Sequence, residues 1–207
     1  KENDYTVNVM KRKSSKVRVV IFSMIIVVLS GLYLIYSWNK YQDVAETEAI
    51  MLAESVESII HSDQIAKLSG SAEDLEKSVY KMAKQSLIQL VETTNPIRFA
   101  YLMGERDGKI VFLMDSEPSD SADYSPPGQI YEEVEDALWD TFSSGKSVLT
   151  KPATDRWGTW ISVFVPMKDP ISGNVLAIFG IDYSASEWYA QLWKHMIPDM
   201  ILGLCIL

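Results

Sequence analysis

The chain has 207 residues, 47% of them hydrophobic, and a formal charge of −9. That length fits one domain with appendages, and the acidic balance excludes a nucleic-acid partner, whose phosphates need Lys and Arg in excess. The single cysteine, Cys205, excludes an intrachain disulfide.

Charge is unevenly spread. Residues 1–18 carry six Lys or Arg (Lys1, Lys11, Arg12, Lys13, Lys16, Arg18) against Glu2 and Asp4, which leaves 13 basic and 26 acidic residues for the remainder. Residues 19–38, VVIFSMIIVVLSGLYLIYSW, run 20 positions without a charge. As a helix that run is about 30 Å long, the depth of a bilayer core. Tyr33, Tyr36 and Trp38 collect at its far end, where amphipathic rings suit the headgroup layer. The basic cluster before it predicts a cytoplasmic segment at 1–18, a transmembrane helix at 19–38 and an extracytoplasmic chain beyond, in the plasma (inner) membrane. The run is longer than a signal-peptide core, and no small-x-small cleavage site follows it.

Beyond Trp38 there is no Pro or Gly until Gly70. Ala45, Ala49, Leu52, Val56 and Ile59 are spaced four, three, four, three, a heptad-like stripe on a long helix. This stripe packs on its own domain or forms the seam of a parallel homodimer through the membrane-proximal helix, and the two can coexist on different faces. Leu68-Ser69-Gly70 is expected to close the helix. Ser71 with Asp74 has the form of a capping box opening a second helix to about Thr94, before Asn95-Pro96.

The period then changes. IRFAYLM (97–103) and KIVFLMD (109–115) are β-like runs around an Asp107-Gly108 turn. Residues 116–129 are polar, Pro-rich loop, followed by a short helix at about 130–142. A brief strand at 148–150 and two longer ones at 159–166 and 175–182 follow, the last pair joined by Asp-Pro and Gly-Asn turn chemistry. Ser184 is placed to cap a final helix through Trp193. Five strands in hairpins predict an α+β domain at 39–193, an antiparallel sheet with helices on one face or end. The apolar run at 197–207 is read as the start of a second transmembrane helix in a fragment of a longer chain.

This element order resembles the extracytoplasmic PAS-like sensor domains of the Cache (PDC) group, found in bacterial and archaeal histidine kinases, diguanylate cyclases and chemoreceptors. The resemblance is carried by IRFAYLMGERDGKIVFLMDSEP (97–118), DYSPPGQIYEE (123–133), DRWGTWISVFVP (155–166) and GNVLAIFGIDYSASEW (173–188). Amino-acid-binding double Cache receptors place an Arg-x-Trp-Tyr element far upstream of an Asp. Here Arg156 precedes Asp182 by only 26 residues, which favours a single-module sensor.

The resemblance implies a pocket between the sheet and the connection 116–150. Its candidate ligand-binding residues are Tyr101, Asp115, Tyr124, Tyr131, Arg156, Trp157, Trp160, Ser162 and Asp182. A cation, two carboxylates and aromatic walls suit a small polar or zwitterionic molecule. Each has a plainer alternative. Trp157 and Trp160 also suit core packing, Asp155-Arg156 a turn ion pair, Gly158 a turn, Asp182 a helix cap, Asp115 an anchor for its loop, and Tyr131 the opening of a helix or the core. His61 and His195 form no metal-ligand spacing, and no nucleotide motif is present, so neither metal nor cofactor is expected.

The function expected is the ligand-sensing input of a two-pass receptor with a cytoplasmic output, a histidine kinase in preference to a diguanylate cyclase. The alternatives are a dimerising or partner-binding ectodomain, and an extracytoplasmic hydrolase using Asp115 and Asp182.

Overall fold

The computed structural model describes the backbone of residues 2–206 and the side chains of residues 16–203. The basic residues from Lys1 to Lys13, Cys205 and the end of the expected second membrane segment therefore lie outside the described side chains. The described residues form helices α1 (Glu2–Ile59), α2 (Ser62–Ile65), α3 (Ser78–Thr93), α4 (Asp136–Ser144) and α5 (Ala185–Ile206). They also form strands β1 (Ile97–Arg106), β2 (Lys109–Asp115), β3 (Val148–Leu149), β4 (Ala153–Asp155), β5 (Gly158–Lys168) and β6 (Val175–Ser184). The chain divides into two units, Ala45–Ala190 and the pair Lys1–Val44 with Gln191–Leu207.

The first unit is the α+β domain. Its sheet is antiparallel with order β2-β1-β6-β5-β3, and β4 pairs with the start of β5. The five strands expected from sequence form the main path; three-residue β4 is an addition. The β1–β2 hairpin is tighter than expected, because Asp107 (φ 51°) and Gly108 (φ 72°) form the whole turn.

Alternation gives the sheet two apolar faces. Ala100 and Leu102 of β1, Val163 and Val165 of β5, and Phe179 and Ile181 of β6 join the core beneath α1, α2 and α3. Ala49 and Ala53 of α1 are buried in that core, and Leu52 and Val56 pack half-buried against it. Ala49, Leu52 and Val56 of the stripe thus pack their own domain, whereas Ile59 is 76% exposed. The opposite face carries Tyr101, Met103, Phe112, Phe164 and Ile178 beneath α4, so helices cover both faces rather than one.

The ladders shift register at three places, and the one in β2 bears on the site. Leu102 pairs with Met114 but Met103 pairs with Phe112, so Leu113 is an extra residue in β2. Leu113 and Met114 both enter the core under α3, and Asp115 turns to the opposite face.

Several helix ends differ from expectation. α1 stops at Ile59 rather than Leu68, because the chain turns at His61 to bury Ile65 and Leu68. The expected second helix is a 3-10 turn, Ala72–Glu76, then α3, broken at Lys77 whose backbone is extended. Asp74 organises this junction: its fully buried carboxylate accepts from the Ser69 and Gly70 amides at 3.1 and 2.7 Å and from Lys77 Nζ at 2.7 Å. α4 begins at Asp136 rather than Ile130, since residues 128–131 run along β2 instead. Gly128 N donates to Phe112 O, Phe112 N to Gln129 O and Tyr131 N to Ile110 O, at 2.8–2.9 Å. Ser184 ends β6 directly before α5, and its hydroxyl hydrogen-bonds with that of Ser186 at 2.9 Å.

In the second unit, Trp38 and Trp193 rings lie 5.0 Å apart, and Tyr33 Oη donates to Asp199 at 3.0 Å. Among the described residues α1, from Lys16 onward, is the one helix long and apolar enough to cross a membrane.

Candidate ligand-binding site

A cavity of about 60 Å³ lies within the α+β unit, between the α4 side of the sheet and the connection that follows β2. That volume holds about five waters, the size of a small head group. Six rings line it: Phe99 and Tyr101 from β1, Phe112 from β2, Tyr131 from the connection, Trp157 from the β4–β5 turn and Trp160 from β5. They interlock, Phe99 edge-on to Trp160 at 5.0 Å and Tyr131 stacked on Trp157 at 6.3 Å. The polar lining is acidic, with Asp115, Asp123, Glu133, Glu135, Asp155 and Asp182 all reaching the cavity. Among the described residues no Lys, Arg or His lines it.

The floor is built around Asp182. Its partners across the sheet are Phe99 on β1 and Ser162 on β5. Tyr101 Oη donates to its Oδ1 at 2.8 Å, and Ser162 also hydrogen-bonds to it. The Tyr101 ring reaches across Gly180, where a Cβ would overlap it. Burial, helped by the neighbouring charges of Asp155 and Glu135, raises the Asp182 carboxyl to about 7 against the pull of Ser162 and Tyr101. Asp182 is therefore a floor group facing the cavity and not a helix cap.

The wall is a two-residue hairpin. Asp155 pairs with Gly158, and its Oδ1 accepts from Trp157 N at 2.8 Å, Gly158 N at 3.0 Å and Trp160 Nε1 at 3.0 Å. Asp155 thus holds the turn and the Trp160 indole together and does not pair with Arg156. Gly158 does more than turn the chain: a Cβ there would meet the Trp160 ring at 2.6 Å.

Arg156 lies outside the cavity lining. Its Nε and Nη2 donate to the two carboxylate oxygens of Glu133 at 3.2 and 3.0 Å, and its guanidinium lies 4.8 Å from the Trp157 ring centre. Its side chain is 41% exposed. The plainer alternative, an ion pair beside a turn, describes it, with Glu133 as partner.

The far wall is tied to α3. Asp115 accepts from Lys84 Nζ at 3.0 Å through Oδ1 and from Ser125 N at 2.6 Å through Oδ2. The Lys84 and Asp115 side chains are only 14% and 8% exposed. Burial still holds the Asp115 carboxyl above its ordinary range. Asp115 and Asp182 are thus shifted in the same direction, whereas acid–base pairs work through opposed shifts. Tyr124 stands behind this wall, 3.5 Å from Tyr80 Oη with Lys84 over its ring, and does not line the cavity. Arg98 fastens the same connection by ion pairs to Glu117 at 2.6 Å and Asp123 at 3.0 Å.

Seven of the nine residues singled out from sequence line the cavity: Tyr101, Asp115, Tyr131, Trp157, Trp160, Ser162 and Asp182. Sequence reasoning passed over Phe99, Phe112 and Glu135. Phe99 was within reach, since it lies two residues before Tyr101 on the same strand; Glu135 carries no local signal.

No family model matches the chain, and no curated protein matches it. Solved structures similar to it are sensory domains. The ligand-binding domain of the Campylobacter jejuni chemoreceptor Tlp3, in complex with L-valine, is 13% identical, with 77% of this chain and 60% of that one covered at a TM-score of 0.49. The ligand-binding domain of the Pseudomonas aeruginosa PAO1 amino-acid chemoreceptor PctC, in complex with GABA, is 16% identical, with 73% and 63% covered at 0.36. A methyl-accepting chemotaxis protein X is 17% identical, with 77% and 68% covered at 0.36. The chain spans about 60% of the length of the first of these domains. At such TM-scores the likeness speaks to neither ligand nor output.

Proposed function

We propose that this chain is the ligand-sensing input of a membrane signal-transduction receptor. The observation that carries it is the cavity: a small, ring-walled space over the sheet, floored by a buried carboxyl and closed by a connection pinned at Lys84 and Arg98. Clefts of this kind, mostly apolar with a few placed polar groups, bind small molecules. The domain also follows an apolar helix of membrane-spanning length. The topology proposed has 1–18 in the cytoplasm, 19–38 across the inner membrane, 39–193 outside, and a second crossing beginning near 197.

In this arrangement ligand binding shifts the balance between two dispositions of the membrane-adjacent segments, 39–59 in α1 and 185–193 in α5. It does so only by the difference in its affinity for the two. The output proposed is a histidine kinase rather than a diguanylate cyclase, on the Cache resemblance alone. Trp157 and Trp160 line the cavity, so a small-molecule screen of the full chain in lipid nanodiscs, read by tryptophan fluorescence and melting temperature, tests the proposal. A saturable ligand supports it; no response across a broad metabolite set counts against it. Labelling of intact cells with a membrane-impermeant thiol reagent at Ile171→Cys, in a Cys205→Ser background, tests the topology, because Ile171 is 96% exposed. Protection of that cysteine from the reagent would reverse the orientation.

A second reading, an ectodomain that dimerises, is favoured by one observation. An apolar groove of about 410 Å³ lies between the end of α1, α2 and α3, with Ile59 and Met82 76% and 72% exposed at its rim. Chemical crosslinking in native membranes, with and without Ile59→Glu, distinguishes it.

A further inference from the structure

The charges around the cavity are not balanced. Each basic side chain close to it is already committed: Arg156 to Glu133, Arg98 to Glu117 and Asp123, Lys84 to Asp115. Three lining carboxyls, Asp155, Glu135 and Asp182, form no salt bridge among the described residues, and only Asp155 feels a nearby cation, the Arg156 guanidinium already paired to Glu133. They act on one another, and Glu135 and Asp182 are both held above their ordinary range by burial, with Asp155 adding to the push.

Most donors at the cavity are committed as well, the Tyr131 hydroxyl being the exception. Tyr101 Oη serves Asp182, Trp160 Nε1 and the Trp157 and Gly158 amides serve Asp155, and the Ser125 amide serves Asp115. A ligand carboxylate entering here meets carboxyls and negative ring faces, with no cation to receive it. A ligand cation meets the reverse, since ring faces attract ammonium groups and a desolvated site strengthens that attraction. Among the described residues no group of three carboxyls is arranged to hold a metal ion, so the complement is a bulkier charge.

We propose that the cavity takes a small organic cation without a carboxylate, a primary amine or a quaternary ammonium. Its charge sits among Asp182, Asp155 and Glu135, and its alkyl groups lie against Tyr131, Trp157 and Trp160. This rests on the ligand-sensor proposal above and narrows its chemistry.

The test uses the full chain in nanodiscs and four probes of similar size: n-butylamine, choline, L-norvaline and n-butanol, each at up to about 10 mM, with melting temperature and tryptophan fluorescence as readouts. At least one of the two cations is expected to raise the melting temperature saturably, and norvaline and butanol are expected to leave it unchanged. Glu135→Gln removes a lining charge that makes no hydrogen bond, so the fold stays intact. It is expected to weaken cation binding by about threefold or more, and Asp182→Asn by about tenfold or more. If norvaline binds and the cations do not, the cation assignment falls while the sensor proposal survives. If the cations bind equally well to Glu135→Gln and Asp182→Asn, they bind elsewhere and the assignment falls. If none of the four binds, the cation assignment falls, and the wider metabolite screen alone decides the sensor proposal.

Discussion

The phenol ring of Tyr101 occupies the space that a side chain at Gly180 would need, and from there its hydroxyl reaches Asp182 at 2.8 Å. The two residues face each other across the β1–β6 ladder. Gly180→Ala is expected to push the ring off its seat and destabilise the domain by about 1–3 kcal/mol, as overpacking of a core does. Urea unfolding followed by circular dichroism measures the loss. Tyr101→Phe in the Gly180→Ala background should recover little, because the clash lies at the ring and not at the hydroxyl.

Stability should fall as pH rises towards neutrality. Asp182 keeps its proton in the folded domain up to about 7, while the unfolded chain releases it near 3.8. Between those values the folded state binds more protons, so stability declines across that window and is level above it. The decline is on the order of 4 kcal/mol at most from this one group. Asp115 and Glu135 are raised as well and act in the same sense. Asp74, lowered to about 2, acts oppositely: its contribution is full above 3.8 and is lost as pH falls through about 2. Asp182→Asn should flatten the upper window and leave the acid limb unchanged in a series of melting curves.

Binding of an organic cation should weaken as pH falls below about 7. The groups that face Asp182 are Tyr101 on β1, Ser162 on β5, Asp155 at the β4–β5 turn and Glu135 on the connection. Protonation of Asp182 removes the innermost negative charge. Titration of choline or n-butylamine at a series of pH values should show affinity declining by up to about tenfold per unit on the acid side. A pH-independent affinity would exclude Asp182 from the contact.

Lys84 and Asp115 form a nearly buried pair between α3 and β2. Lys84→Ala leaves the carboxylate without its cation and should cost about 3–5 kcal/mol. Asp115→Asn in the same chain should restore part of that loss. A double-mutant cycle by urea unfolding measures the coupling, and additive effects would show the pair to be inconsequential.

Arg156→Ala should change little. Its ion pair with Glu133 is 41% and 35% exposed, and such pairs contribute about 0–1 kcal/mol. Loss of ligand binding in Arg156→Ala, with stability intact, would return Arg156 to the ligand's first contacts and favour a zwitterion.

Much of this domain was legible from local rules. The Asp107-Gly108 pair fixed a hairpin, and the two-residue spacing of Trp160 and Ser162 placed both over one face of β5. What escaped was set by distant contacts. Tyr131 reads as the start of a helix, yet Ile110 takes its amide into register with β2. Asp115 shares the parity of Val111 and Leu113, and only the extra residue in β2 turns it to the cavity. Arg156 stands next to one acid in the chain but pairs with Glu133, 23 positions earlier. Such choices depend on which side chains the folded backbone brings together, and no window of sequence contains them.

The segment 128–131 has one more consequence. It occupies the free rim of β2, and the opposite rim ends in strands of two and three residues. Neither border of the sheet offers a long template for a foreign chain. Edge-to-edge pairing with another chain is disfavoured for that reason, and a stretch torn loose by heat finds few places to seed a fibril.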